Sequence, residues 1–224
     1  TLVDPLVAND IDILTDALGV TAYAANGNIN IENNGFFAVG DEGIVADDGT
    51  AGDANFNDVT LKSTGGNIGS GSGTVSANFL TADSDGAISL TTTVSDLTAS
   101  ALAGDIFIAQ SDAAMMVTSA VATGAVTISS DDGQLDVTVI QSGGDVTLTT
   151  TGIDATAAGP SDIGLAESSV IASGTATITS VGDIQGELVL EGGDVVAETV
   201  ILESNGDLGI SVSAETDRLT ATAL

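Results

Sequence analysis

Cysteine, histidine and tryptophan are absent from this chain, and Lys62 and Arg218 are its only basic residues. Without cysteine there is no disulfide framework and no thiolate metal site. Without cysteine or histidine, the usual thiol nucleophile and imidazole base are missing. Serine is plentiful but has no recognisable catalytic partner, and the two basic residues lie far apart in sequence. The chain therefore reads as non-enzymatic. Against 32 acidic residues the formal net charge is −30. That excludes a phosphate-reading surface, because nucleic-acid affinity comes from Lys and Arg neutralising phosphates. An anionic membrane is disfavoured for the same reason, and cations or basic partners are the natural counterparts. No apolar run approaches the ~18 residues of a membrane-spanning helix, so no membrane insertion is expected. An initiating Met and a signal-peptide pattern are missing too. Beginning at Thr1 and stopping at Leu224 inside apolar sequence is the pattern of a processed or excised piece.

Aromatic residues amount to 3%, with Tyr23 the single tyrosine, while apolar residues reach 43%. A core must therefore come from Val, Ile, Leu and Ala, which suit a narrow interior of stacked, similar side chains. One short pattern recurs: glycine, a small polar residue, an aliphatic, any residue, another aliphatic. It stands at Gly27–Ile31, Gly86–Leu90, Gly104–Ile108, Gly124–Ile128 and Gly144–Leu148, with weaker copies at Gly174–Ile178, Gly193–Val195 and Gly206–Ile210. Gly66, Gly86, Gly104, Gly124 and Gly144 are separated by 20, 18, 20 and 20 residues. Second alternating runs fall between them, at Val75–Leu80, Val94–Thr98, Met115–Val117 and Leu135–Val139. Several short strands per period of about 20 residues predict an all-β parallel β-helix, a β-solenoid.

Alternation should turn Ile106 and Ile108, or Val146 and Leu148, to one face, which only stacking of coils can bury. Residues 1–20, a dense apolar set around Pro5, read as an N-terminal cap or an exchanged arm; residues 21–224 form the solenoid. Irregular Asp/Asn/Gly-rich loops are expected around 33–65. The alternative is a pair of tandem β-sandwich domains, against which stand the short period, the glycine count and the missing core Trp.

The recurring G-D-[IV]-x-[LI] strands over residues 66–210 resemble the filamentous-haemagglutinin-like repeats of two-partner-secreted and autotransporter proteins. That resemblance implies a right-handed β-helix, secretion across a bacterial outer membrane to the cell surface, and an adhesive or fibre-forming role. An extracellular structural protein, a self-assembling fibre or sheath subunit joined head to tail with itself, is the expectation. A surface module binding cations or glycans is the alternative.

Candidate ligands are few in kind. The run Asp47, Asp48, Asp53, Asn55, Asn57 and Asp58 gathers hard oxygens on a loop. Asp53, Asn55 and Asn57 match the opening of a calcium loop, but Asp58 replaces its glycine and Thr64 its bidentate Glu. Asp83 and Asp85 form a shorter calcium candidate. Asp and Gly are also ordinary turn formers, so solvated turns account for the same residues. No cofactor is required. Thr91–Thr93, Thr147/Thr149/Thr151 and Thr175/Thr177/Thr179 would place hydroxyl rows on an outer face, as in ice-binding solenoids. The segments Gly104–Ile108 and Leu135–Val139 interrupt them, and threonine is in any case a good outward strand residue.

Overall fold

The computed structural model describes residues 3–4, 10–47, 56–111, 114–131, 133–154, 159–160, 162–166, 169–186, 194–206 and 210–224. Alternation of aliphatic and small polar residues sets every strand, and the strands join one 21-stranded parallel sheet wound as a β-solenoid. No helix occurs among the described residues. The expected β-helix is borne out, and tandem sandwiches are not: among the described residues the one antiparallel strand pair is Ile153–Asp154 with Gly159–Pro160.

Strands stack in three walls, represented by Ile140–Ser142 in the first, Val146–Thr151 in the second and Leu135–Val137 in the third. The second wall shows the register best. Its strands include Ile106–Ser111, Val126–Asp131, Val146–Thr151 and Thr175–Ser180, paired in unbroken parallel register. Phe37, Ile68, Ile88, Ile106, Val126, Val146, Ala176 and Val200 follow one another in a single inward column, and all are buried. The central steps of this column are 20, 18, 20 and 20 residues, matching the glycine spacing. The step from Val146 to Ala176 is 30 residues because that antiparallel pair is inserted there. The step from Phe37 to Ile68 is 31 and contains the segment 48–55, outside the described residues.

Val146 and Leu148 are fully buried while Thr147 and Thr149 face outward, as alternation requires. The same alternation turns Thr92, Gln110, Ser130, Thr150, Ser180 and Ser204 inward, and they too are buried. Buried polar groups are tolerable only when bonded. Here Thr92 Oγ1 and Gln110 Oε1 are 2.7 Å apart, Gln110 Nε2 donates to Val94 O at 2.7 Å, and the Thr150 and Ser180 hydroxyls pair at 2.9 Å.

Within residues 1–20, Val3–Asp4 pairs with Gly19–Ala24 and Ile11–Thr15 pairs with Ile29–Asn34, all parallel. Within 33–65, Phe37–Ala46 and Val59–Thr64 are coil strands of the same sheet.

Candidate functional site

The acidic candidates fall in two places. Asp48, Asp53 and Asn55 lie outside the described residues. Asp47 forms an isolated antiparallel bridge with Phe56. Its backbone oxygen accepts Asn57 Nδ2 at 2.8 Å, and its Oδ2 accepts the Tyr23 hydroxyl at 3.1 Å. Asn57 thus spends its amide on closing the base of the loop. The bond to Asp47, reinforced by burial and by the carboxylate's charge, holds the Tyr23 phenol above its usual range. Asp58 is exposed, and its N–H donates to Asn28 Oδ1 at 3.0 Å. The other two candidates are separate. Asp83 points outward opposite Lys62, whose ammonium pairs with Glu32 at 3.3 Å. Asp85 Oδ2 accepts the Gly65 N–H at 2.7 Å. No group of three or more acidic side chains stands close enough to hold a metal among the described residues.

The corner between the first and second walls carries a device that sequence reading missed. Asn67 Oδ1 accepts the N–H of Ala87 in the next coil at 2.8 Å. Asp105 Oδ1 takes Ala125 N–H at 2.8 Å, and Asp145 Oδ1 takes Thr175 N–H at 2.7 Å. The glycine before each donor lies directly under the acceptor. A Cβ on Gly86, Gly124 or Gly174 would sit 1.9, 2.1 or 2.2 Å from that oxygen. Asx acceptors therefore alternate with small donors up the corner: Asn67, Ala87, Asp105, Ala125, Asp145, Thr175. Coils are spaced at roughly 4.8 Å, so alternation keeps Asp105 and Asp145 about twice that distance apart.

Buried serines brace two corners from inside. Ser84 and Ser142 at this corner, and Ser180 and Ser204 at the corner after the second wall, accept the N–H of Gly86, Gly144, Gly182 and Gly206 at 3.1–3.2 Å. Ser84, Ser142 and Ser204 also donate to carbonyls of the preceding coil, at Gly66, Gly124 and Gly182. The S-x-G spacing repeated at these four places was the available signal. Asp194, buried near the C-terminal end, accepts the N–H and hydroxyl of Ser213 through Oδ2 at 2.7 and 3.2 Å.

On the second wall the outward positions Ser89/Thr91, Phe107/Ala109, Thr127/Ser129, Thr147/Thr149 and Thr177/Thr179 are uncharged, while Asp131 stands at the strand ends beside them and Glu203 follows Thr179 in the next coil. Both threonine rows are regular over the last two of these coils, and Phe107 lies one coil below Thr127, 46% exposed. Phe37 is a core residue, whereas Phe36 lies exposed over Gly69. On the third wall a shallow groove opens at Gly164 between Asp136 and Gln185, with Thr138 at its side. No family model, curated protein or solved structure matches this chain.

Proposed function

We propose that this chain is a structural subunit of an extracellular, bacterial-type fibre or sheath of the filamentous-haemagglutinin-like kind, acting by shape and by self-association and not by catalysis. The supporting observation is the core column itself. Its members are buried from Phe37 to Val200, coil upon coil in parallel register, so the core runs on continuously along the stack. Any open coil edge offers unpaired N–H and C=O groups together with an aliphatic cross-section, and so templates addition of another strand. Addition there is heterologous and does not close, so it propagates as a filament. The carboxylates spread over corners and outer strand faces keep filaments apart laterally. Negative-stain electron microscopy and light scattering of the purified chain test this. Filaments one coil-stack wide are expected; a chain that stays monomeric at high concentration overturns the reading.

The second reading is a surface module for neutral glycans. The uncharged hydroxyl wall beside Phe107 and the Asp136–Gln185 groove favour it, since an aromatic platform with hydroxyl, amide and carboxylate groups suits sugar hydroxyls. Glycan-array binding that is lost in Phe107→Ala would establish it.

A further inference from the structure

We propose that one outward column of the solenoid is a docking face for a basic amphipathic helix of a second protein. This stands apart from the fibre reading and does not need it. Successive coils bring Phe79, Asp96, Met116 and Asp136 into one column of parallel-paired residues. Asp58 stands one residue before the Val59–Leu80 pair, level with Phe79, and extends the column by a coil. Acidic and large apolar side chains therefore alternate over five coils. All five face outward, because Val59, Leu80, Leu97, Val117 and Val137, one residue after each, are buried.

Folding of the coil does not call for large apolar groups at these outward places. Phe79 is nevertheless 49% exposed and Met116 43%. Asp96 lies between them in register, and its Oδ1 is covered without a hydrogen-bond partner. A covered carboxylate oxygen that lacks a donor is costly. Met116, unbranched and flexible, can turn to admit a donor from outside. Arginine suits the place, since its guanidinium stacks on an aromatic face and forks to a carboxylate. Beside the column, Thr60, Thr81, Thr98 and Ser119 form a parallel row of small uncharged groups, low enough for a rod laid along the stack.

The spacing selects the occupant. Coils rise about 4.8 Å each, so Asp58, Asp96 and Asp136 follow at intervals of about 10 Å with an apolar residue midway. Seven residues of an α-helix advance about 10.5 Å, and residues three or four along share a face. A helix with Arg at every seventh position and an apolar residue midway therefore meets the column group for group. An extended strand repeats its face about every 6.8 Å and falls out of step. A polyproline helix repeats about every 9.3 Å but has no residue on that face to cover Phe79 and Met116. Nor does a second copy of this chain fit, because its only basic residues are Lys62 and Arg218, and Lys62 is engaged with Glu32.

The probe is a synthetic Ala/Gln-based helical peptide of about 20 residues with Arg at every seventh position and Leu midway on the same face. Its control has the same composition with the Arg residues moved round the helix. Fluorescence anisotropy at about 0.15 M salt, where loose attraction to a −30 chain is screened, reads both affinities against the whole chain. The matched peptide should bind at least about tenfold tighter than the control. Phe79→Ser should weaken it about tenfold, the loss of one anchoring aromatic. Asp96→Asn should weaken it about fivefold, the upper range for one exposed ion pair. Asp131→Asn, which removes the same charge from another wall, should leave it unchanged. Circular dichroism confirms that each variant is folded. Equal binding of the two peptides, binding of neither, or equal effects of Asp96→Asn and Asp131→Asn would overturn the docking face.

Discussion

Val146 and Thr147 are adjacent residues with opposite environments: one has no solvent contact and the other stands on the outer wall. Val146→Asp buries an unpaired charge and should cost roughly 4 kcal/mol or more, enough to threaten folding. Thr147→Asp should cost under about 1 kcal/mol. Urea denaturation of the two variants checks this, and equal tolerance would mean the strand register is wrong. Gly124 carries a different constraint. A methyl group there would meet Asp105 Oδ1 at 2.1 Å and Gly104 backbone at 2.9 Å. Gly124→Ala should therefore break the Asp105–Ala125 bond and destabilise by about 1–3 kcal/mol, whereas the same change at Gly19, with open space around it, should not. Tyr23 offers a spectroscopic probe as the only tyrosine. Its bond to Asp47 favours the neutral phenol. Absorbance at the phenolate band should thus titrate above the ordinary ~10, and Asp47→Ala should bring it down. A phenol with a raised folded value contributes stability that is present below the unfolded value. That contribution is lost as pH climbs through the folded one. Calcium bound at the Asp47 loop would shift the same signal.

At the scale of the coil, alternation of Asx acceptors with small donors solves two problems together. Each carboxylate closes a backbone bond that the corner would otherwise leave open, and at this corner Asp105 and Asp145 are kept off consecutive coils. Ala125→Asp defeats the second purpose by placing a third acidic side chain between Asp105 and Asp145. It should lower the melting temperature at low salt, by an amount equivalent to about 1 kcal/mol. Added NaCl should recover most of the loss, because exposed charges are screened; a loss independent of salt would point to steric misfit at the corner.

For the whole molecule, −30 charges on a cysteine-free chain make stability depend on the solvent. Asp105 and Asp145 lie within one Debye length of each other at 0.1 M salt, about 10 Å, and other carboxylates stand on the outer faces of strands, as at Asp12, Asp83 and Asp136. Melting temperature should rise from low salt to high NaCl. A comparable rise at far lower CaCl₂ would favour specific calcium sites, and equal melting in all three solutions would remove the electrostatic argument. On the glycan reading, neutral ligands would meet such a molecule at the uncharged threonines of the second wall, Thr127, Thr147 and Thr177.

How much of this was legible beforehand depends on the distance over which each feature is decided. Strand positions, the direction each strand residue faces and the 18–20-residue period are properties of a few consecutive residues repeated. Alternation at Ile106–Ile108 and Val146–Leu148 therefore sufficed to read them, and with them the solenoid. The inter-coil acceptors were not legible in the same way. Asp105 and its donor Ala125 are 20 residues apart, Asp145 and Thr175 are 30 apart, and coil length varies wherever a hairpin or loop is inserted. Aspartate before a strand looks the same whether it is a solvated turn or the brace of the next coil. Burial of Ser84, Ser142 and Ser204 was likewise hidden, since serine two residues before glycine is ordinary turn sequence until stacking closes water out. The sequence alone determined the local alternation and its period. Only the tertiary structure decided which corners bond which, because those partners come together by winding and not by proximity along the chain.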